Sequence, residues 1–266
     1  MFAAALLLAA AIGTWLVLAD GGEPAGFEGP LPLPPVPPRI SSGLEYERCL
    51  GLLTVEPASA ENLARAWVAR GGGEGAMHCL ALSRLALGEP VPAAEELERL
   101  AVSSTSSPAT RAALLGQATQ AWLMAGVATR ATATATGALA LMPDDPTLLI
   151  ERATAAALLE RHRAAADDLA RALQLDPRRA DALVLRAAAL RHLNLIGEAL
   201  ADIGAALTLD PDNPEALLER GILRQRGRDD AGARADWDRA IVLSPDSATG
   251  DLARQNLALL EAGPSR

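Results

Sequence analysis

The sequence contains no lysine: all 24 basic residues are arginine. They face 33 carboxylates, which leaves a net charge of −9, and they are spread along the chain rather than gathered in a patch. A nucleic-acid surface needs concentrated positive charge to neutralise phosphates, so nucleic acid is excluded as a partner. Aromatic residues make up only 3%, and the strong β-formers are sparse, whereas alanine and leucine dominate. That balance favours helix over sheet. There are three histidines (His78, His162, His192) and two cysteines, and neither set has metal-ligand spacing. His78 and Cys79 are adjacent, which points them to opposite sides of a helix. Asp167 and Asp168 are adjacent as well and do not converge. Gly71-Gly72-Gly73 reads as a linker rather than a phosphate cradle, and no nucleophile elbow is found. The chain is therefore read as non-catalytic, with no cofactor and no metal.

One long uncharged apolar run is present, residues 2–19 (FAAALLLAAAIGTWLVLA). Two readings stand. It is a signal peptide cleaved after Ala19, where Val17-Leu18-Ala19 supplies the small residues a signal peptidase needs. Alternatively it is a retained single-span anchor, since about 20 apolar residues cross the hydrocarbon core. The run lacks the basic residues that precede most signal sequences. Either reading places the rest of the chain outside the cytoplasm. It is periplasmic or secreted in the first case, and anchored in the inner membrane facing the periplasm in the second. Residues 20–42 are rich in Gly and Pro, and Pro30 to Pro38 favours an extended polyproline-II spacer.

From residue 43 the pattern is helical. Residues 43–107 read as two degenerate helical hairpins, with helices over 44–53, 58–70, 76–87 and 93–102. Residues 112–247 then hold four copies of one unit (112–145, 146–179, 180–213, 214–247), each with a proline marking its end region: Pro143, Pro177, Pro211 and Pro245. Leu115, Leu149, Leu183 and Leu217 form one column. Ala131, Ala165, Ala199 and Ala233 form a second, and Ala138, Ala172, Ala206 and Ala240 a third. Self-similarity at a fixed period of this size marks a repeat architecture. Asp145 before Pro146 and Asn213 before Pro214 have the arrangement of a helix N-cap followed by a first-turn proline. Residues 248–262 read as a capping helix with a polar outer side, which an open-ended repeat array requires.

The four units resemble tetratricopeptide repeats. They share the repeat length, the two-helix pattern, the small-residue columns and the terminal proline, and the likeness covers about half of the chain. Two columns depart from the family. Leucine replaces the aromatic near the start of the first helix, and the glycine of the inter-helix turn remains only as Gly126, with Glu160, Asn194 and Arg228 in its place. The resemblance implies an all-α, right-handed solenoid of stacked hairpins whose first helices line a concave face for a peptide or protein segment. Carried over, that face comprises Gln120, Leu123, Met124, Ile150, Thr154, Leu158, Val184, Arg191, His192, Leu218, Ile222, Gln225 and Arg226. The lysine and asparagine clamp of chaperone-binding members is absent, with Arg191 and Arg226 as the candidate substitute. The expected function is that of an extracytoplasmic interaction scaffold of a bacterium. The alternative is a membrane-anchored assembly factor for an envelope complex.

Two further constellations belong to this sequence. Arg152, Arg186 and Arg220 recur at the repeat length in the first helices, and Asp168, Asp202 and Asp236 recur likewise in the second. The first unit has Ala118 and Thr134 at those places, so both partners are missing together. The columns predict a ladder of ion pairs, one within each hairpin, because a guanidinium can grip a carboxylate through two donors. Cys49 and Cys79 lie in the first helices of consecutive hairpins. An exported chain with two cysteines suggests a disulfide, the alternative being two buried thiols.

Overall fold

The computed structural model describes residues 39–262, so the readings made for residues 1–38 lie outside the described residues. Among the described residues the chain is all-α, thirteen helices in sequence. They are α1 (Leu44–Leu52), α2 (Pro57–Ala69), α3 (Gly73–Ala86), α4 (Pro90–Ser103), α5 (Pro108–Met124), α6 (Ala128–Leu141) and α7 (Pro146–Leu158). There follow α8 (His162–Leu175), α9 (Ala180–His192), α10 (Ile196–Leu209), α11 (Pro214–Arg226), α12 (Asp230–Leu243) and α13 (Ala248–Ala262).

Prolines open many of these helices because a first-turn residue has no intrahelical acceptor for its N–H. This explains where the boundaries differ from the sequence pattern. Helix α4 starts at Pro90, three residues before the apolar pattern begins, and α5 starts at Pro108, capped by the Ser107 hydroxyl, which accepts from Thr110 N. The third glycine of the 71–73 run is already the first residue of α3, so the run starts a helix as well as ending one. Asp145 Oδ1 accepts from the N–H groups of Thr147 and Leu148 at 2.8 and 3.2 Å, and Asn213 Oδ1 accepts from Ala216 N at 2.8 Å.

One turn recurs. After α2, α3, α5, α7, α9 and α11 the chain closes with two backbone bonds, for instance Glu160 N to Ala157 O and Arg161 N to Ala156 O, both 2.9 Å. This is the Schellman arrangement, which needs its central residue in the left-handed region. Gly71, Gly88 and Gly126 take that place first, and then Glu160, Asn194 and Arg228 at φ 58°, 61° and 64°. The last three bear a side chain where glycine is favoured, at a cost of about 1–2 kcal/mol each, least for asparagine. The turn survives because the two backbone bonds and the packing behind them fix the geometry.

The chain divides into two compact units between Arg152 and Ala153, within α7. In the 39–152 unit two clusters of buried residues are described. One gathers Cys49, Leu53, Ala60, Ala64, Cys79 and Leu82, and a second gathers Ala81, Leu97, Leu100, Ala101, Leu114 and Ala118. In the 153–262 unit the core around α11, α12 and α13 is built on Trp237, which is wholly buried. Its ring lies where Gly221 has no side chain: a Cβ there would stand 2.3 Å from Trp237 Nε1. The corresponding residues one repeat earlier are Ala187 and Ile203. The largest side chain of the column thus faces the smallest partner, which keeps the packing dense without overlap.

Candidate functional site

Polar side chains buried on the first helices are the most distinctive feature of the 39–152 unit. Tyr46 on α1 is hydrogen-bonded to His78 Nδ1 at 2.7 Å, and His78 Nε2 to Gln117 Oε1 on α5 at 2.6 Å. Tyr46 and His78 are fully buried and Gln117 nearly so. One assignment fits both bonds: the phenol donates to Nδ1, and Nε2–H donates to the amide oxygen. The imidazole is neutral, because burial pushes its pKa down to about 4 against the opposing hydrogen bond to Gln117. Burial raises the Tyr46 phenol, and a backbone hydrogen bond from Ile40 acts against that rise. Beside this chain, Cys49 and Cys79 are joined as a disulfide, with Cα atoms 6.1 Å apart. It ties α1 to α3.

Farther along the same unit, Glu98 on α4 is the acceptor for three donors from α5 and α6. Trp122 Nε1 lies at 2.9 Å from Oε1, which Thr134 Oγ1 also reaches, and Arg130 Nη2 bonds Oε2. Burial alone would raise the Glu98 carboxyl, but these bonds outweigh it and hold the group below the usual carboxylate range. Thr134, where the later repeats have aspartate, therefore serves the preceding hairpin. Gln120 Nε2 donates to Glu151 Oε1 at 2.6 Å, linking α5 to α7.

In the 153–262 unit the arginine–aspartate columns meet. Arg186 Nε and Nη2 donate to the two Asp202 oxygens at 2.7 and 2.6 Å. Arg220 does the same to Asp236 at 2.9 and 2.6 Å, and Arg224 Nη1 adds a third bond to Asp236 at 2.8 Å. Both aspartates are buried, and their bonds raise the pKa of Arg186 and Arg220. Arg152 and Asp168, the other expected pair, are likewise each engaged in an interaction. A cleft of about 330 Å³ is lined by Arg163, Asp167, Arg186, Leu190, Glu198 and Asp202 from α8, α9 and α10. Two of its charged residues, Arg186 and Asp202, are already satisfied by each other.

The residues carried over to the concave face separate into two sets. Leu123, Ile150, Thr154, Val184, Arg191 and Leu218 are buried, so they are not ligand-facing surface. This corrects the reading of Arg191 as half of a carboxylate clamp. Only 3% exposed, it donates through Nε and Nη2 to Glu219 on α11, itself 1% exposed. Burial pushes the Glu219 carboxyl up, and the guanidinium opposes that shift. A charge pair this deep holds only because each ion satisfies the other. Gln120, Met124, Leu158, His192, Ile222 and Gln225 are half-buried, and Arg226 is exposed. Arg226 Nη1 donates to the Arg191 carbonyl at 3.4 Å. His192 stacks on His162 with ring centroids 4.1 Å apart and planes 17° from parallel. Burial, together with the positive charge of Arg191, lowers His162 against the pull of Glu160. Among the described residues no group of three or more His, Cys, Asp or Glu is placed to hold a metal ion.

The sequence reading missed the three buried contacts between first helices: Tyr46–His78–Gln117, Gln120–Glu151 and Arg191–Glu219. Their partners are 28 to 39 residues apart, never at the repeat length. A column search does not find them.

No protein-family profile matches the chain, and neither does any curated protein. Solved structures do. MamA residues 41-end from Desulfovibrio magneticus RS-1 superposes with TM-score 0.56 at 19% identity over 65% of this chain and 95% of that one. A thermophilic TPR protein of Thermus thermophilus gives 0.57 at 21% identity, over 70% and 100%. YrrB, described as a TPR protein with an unusual peptide-binding site, gives 0.53 at 19% identity, over 73% and 97%. With the hairpins and their turns, these likenesses establish that the chain has the tetratricopeptide-repeat fold, an all-α solenoid of helical repeats.

Proposed function

We propose that the chain is a protein-interaction scaffold that takes a peptide or protein segment on the first helices of the 153–262 unit. The observation that carries this reading is the row Leu158, His192, Ile222, Gln225 and Arg226, partly to fully open and grading from apolar to basic. Arg226 supplies the basic end of the row: its guanidinium donates to the Arg191 carbonyl and acts on the buried Glu219 carboxyl, and its aliphatic stem continues the apolar row. Such a row suits an apolar segment carrying a carboxylate at one end. YrrB, which has the same fold, is described as having an unusual peptide-binding site, which supports a peptide as the class of ligand.

A displayed random-peptide library panned on the full chain tests it. Peptides with apolar residues and a terminal or nearby acid should be enriched, and both Ile222→Asp and Arg226→Glu should weaken them at least tenfold. Absence of any enriched pattern, or equal binding to both variants, would overturn the reading.

The compartment belongs to the same proposal. The apolar run 2–19 and the Cys49–Cys79 bridge support an oxidising, extracytoplasmic location. Whether the scaffold is free or is an anchored assembly factor for an envelope complex turns on the fate of that run. No described helix is long and apolar enough to cross a membrane. N-terminal sequencing from cell fractions separates the readings. A chain starting at Asp20 in the soluble periplasm marks a free adaptor, and an intact Met1 in the membrane fraction marks an anchored one. An intact chain in the cytosol would overturn both.

A further inference from the structure

Two of the three histidines meet, although the repeat does not call for it. His162 is the first residue of α8 and His192 the last of α9. The equivalent places in the other units hold Ala128, Ile196 and Asp230 for the first, and Met124, Leu158 and Arg226 for the second. The two imidazoles stack, with centroids 4.1 Å apart and planes 17° from parallel.

This pair differs from His78. Both nitrogens of His78 are bonded and its ring is fully buried, so it serves the core. His162 and His192 are half-buried, and His162 Nδ1 has no hydrogen-bond partner. Rings stacked in this way hold their lone pairs in nearly parallel planes, which do not converge on one metal ion. They suit the uptake of a single proton: an imidazolium over a neutral imidazole is tolerated, whereas two imidazoliums this close repel.

The surrounding charges decide what that proton serves. Glu160, exposed in the turn before α8, favours charge on His162, while burial and Arg191 on α9 oppose it. Arg161 and Arg163, its neighbours in sequence, are exposed, and Glu198 on α10 acts on Arg186. On α11, Glu219 accepts from Arg191 and is acted on by Arg226 as well. Two guanidiniums thus stand against one buried carboxylate, and one positive charge is left over. It lies with Arg226, whose Nη1 reaches the Arg191 carbonyl, one residue from His192. A carboxylate arriving there meets that guanidinium and favours the charged form of the imidazoles beside it.

We propose that the His162–His192 pair and Arg226 form one carboxylate subsite, and that the pair takes up one proton when the acidic end of a bound segment enters it. The inference rests on the peptide-binding reading given above and adds proton linkage to it: an acidic segment is held more tightly in mild acid than at neutral pH.

The probe is an acetylated pentapeptide of serine, leucine and isoleucine, made once with a free terminal carboxylate and once as the terminal amide. Calorimetry on the full chain should show the free acid binding at least fivefold more tightly at about pH 5.5 than at about pH 7.5, with the amide gaining less than twofold. His162→Gln should cut the gain of the free acid below twofold. Should that variant not fold, carbon-13 imidazole NMR of the unaltered chain gives the same answer. Saturation with the free acid should raise the titration midpoint of the pair by at least about 0.7 pH units, the linkage equivalent of that gain. Binding of the free acid that Arg226→Glu weakens but pH leaves unchanged would overturn this inference alone. An equal gain by the amide, a gain that survives His162→Gln, or a midpoint that does not move would do the same. No binding of the free acid at either pH would overturn the peptide-binding reading as well.

Discussion

The 39–152 unit and the 153–262 unit hold similar hairpins together by different chemistry. In the first, where the repeats are irregular, α1 and α3 are tied covalently through Cys49 and Cys79, and beside that bridge runs a buried chain of neutral groups, with His78 between Tyr46 and Gln117. In the second, where the repeats are regular, the same job falls to bidentate ion pairs at a constant 16-residue offset, Arg186–Asp202 and Arg220–Asp236, and to the buried Arg191–Glu219 pair. A periodic sequence can reuse one ion pair because each copy has the same surroundings. An irregular one cannot, and a cross-link does not depend on the surroundings repeating. The difference has a consequence for conditions: the first unit is sensitive to reductant and acid, the second to loss of single charges.

The largest effect is expected from the cross-link. The chain-entropy model gives about 3–4 kcal/mol for a closed loop of this length. Replacing both Cys49 and Cys79 by alanine should lower protection of α1 to α3 in amide hydrogen exchange by a corresponding two to three orders of magnitude, leaving α9 to α12 unchanged. Equal loss in both regions would show that the units do not differ in this way.

Acid comes next. The folded His78 has a pKa near 4 against about 6.5 unfolded, so the unfolded chain takes up a proton first as pH falls. Its contribution is complete above about pH 6.5 and is lost as pH drops through that value toward 4, amounting to about 3 kcal/mol. Urea unfolding across that range should show the loss in the 39–152 unit, and His78→Gln should flatten it.

Removing one carboxylate of the ladder is expected to cost somewhat less. Asp236→Asn strands Arg220 and leaves Arg224 with Asp229 alone; both arginines are about one-third exposed, so the penalty falls below that of a fully buried pair, at about 2–3 kcal/mol. Thermal unfolding with exchange at α11 and α12 measures it, and a change under about 0.5 kcal/mol would remove the ladder from the comparison.

The smallest effect is a gain. Arg228→Gly relieves a side chain held at φ 64° and should stabilise by about 0.5–1 kcal/mol after the greater entropy of glycine in the unfolded chain is subtracted. The same change at Asn194 should give less. A loss at Arg228 would mean that its side chain makes contacts that outweigh the strain.

How far the sequence could be read depends on which contacts share its period. The Pro, Ala and Leu columns repeat because each hairpin faces a copy of itself, and the Arg and Asp columns have a fixed spacing within one hairpin. Contacts between hairpins do not. Tyr46 and His78 are 32 residues apart, Arg191 and Glu219 28, and His78 and Gln117 39. Each depends on how far one first helix slides past the next. The burial of Ile150, Val184 and Leu218 was hidden for a related reason, since position on a helix face does not report what covers that face.

The sequence by itself determined the all-α character, the number and length of the regular hairpins and the caps that open them. These follow from local rules: helix propensity, apolar spacing, and prolines and capping residues at fixed places. Only the tertiary structure decided that Arg191 serves Glu219 rather than a ligand, that Thr134 serves Glu98, and that Trp237 lies over Gly221. Those outcomes depend on distances between segments that the chain brings together only when it packs. There a difference of one helical turn decides whether a charge meets its partner or is left facing solvent.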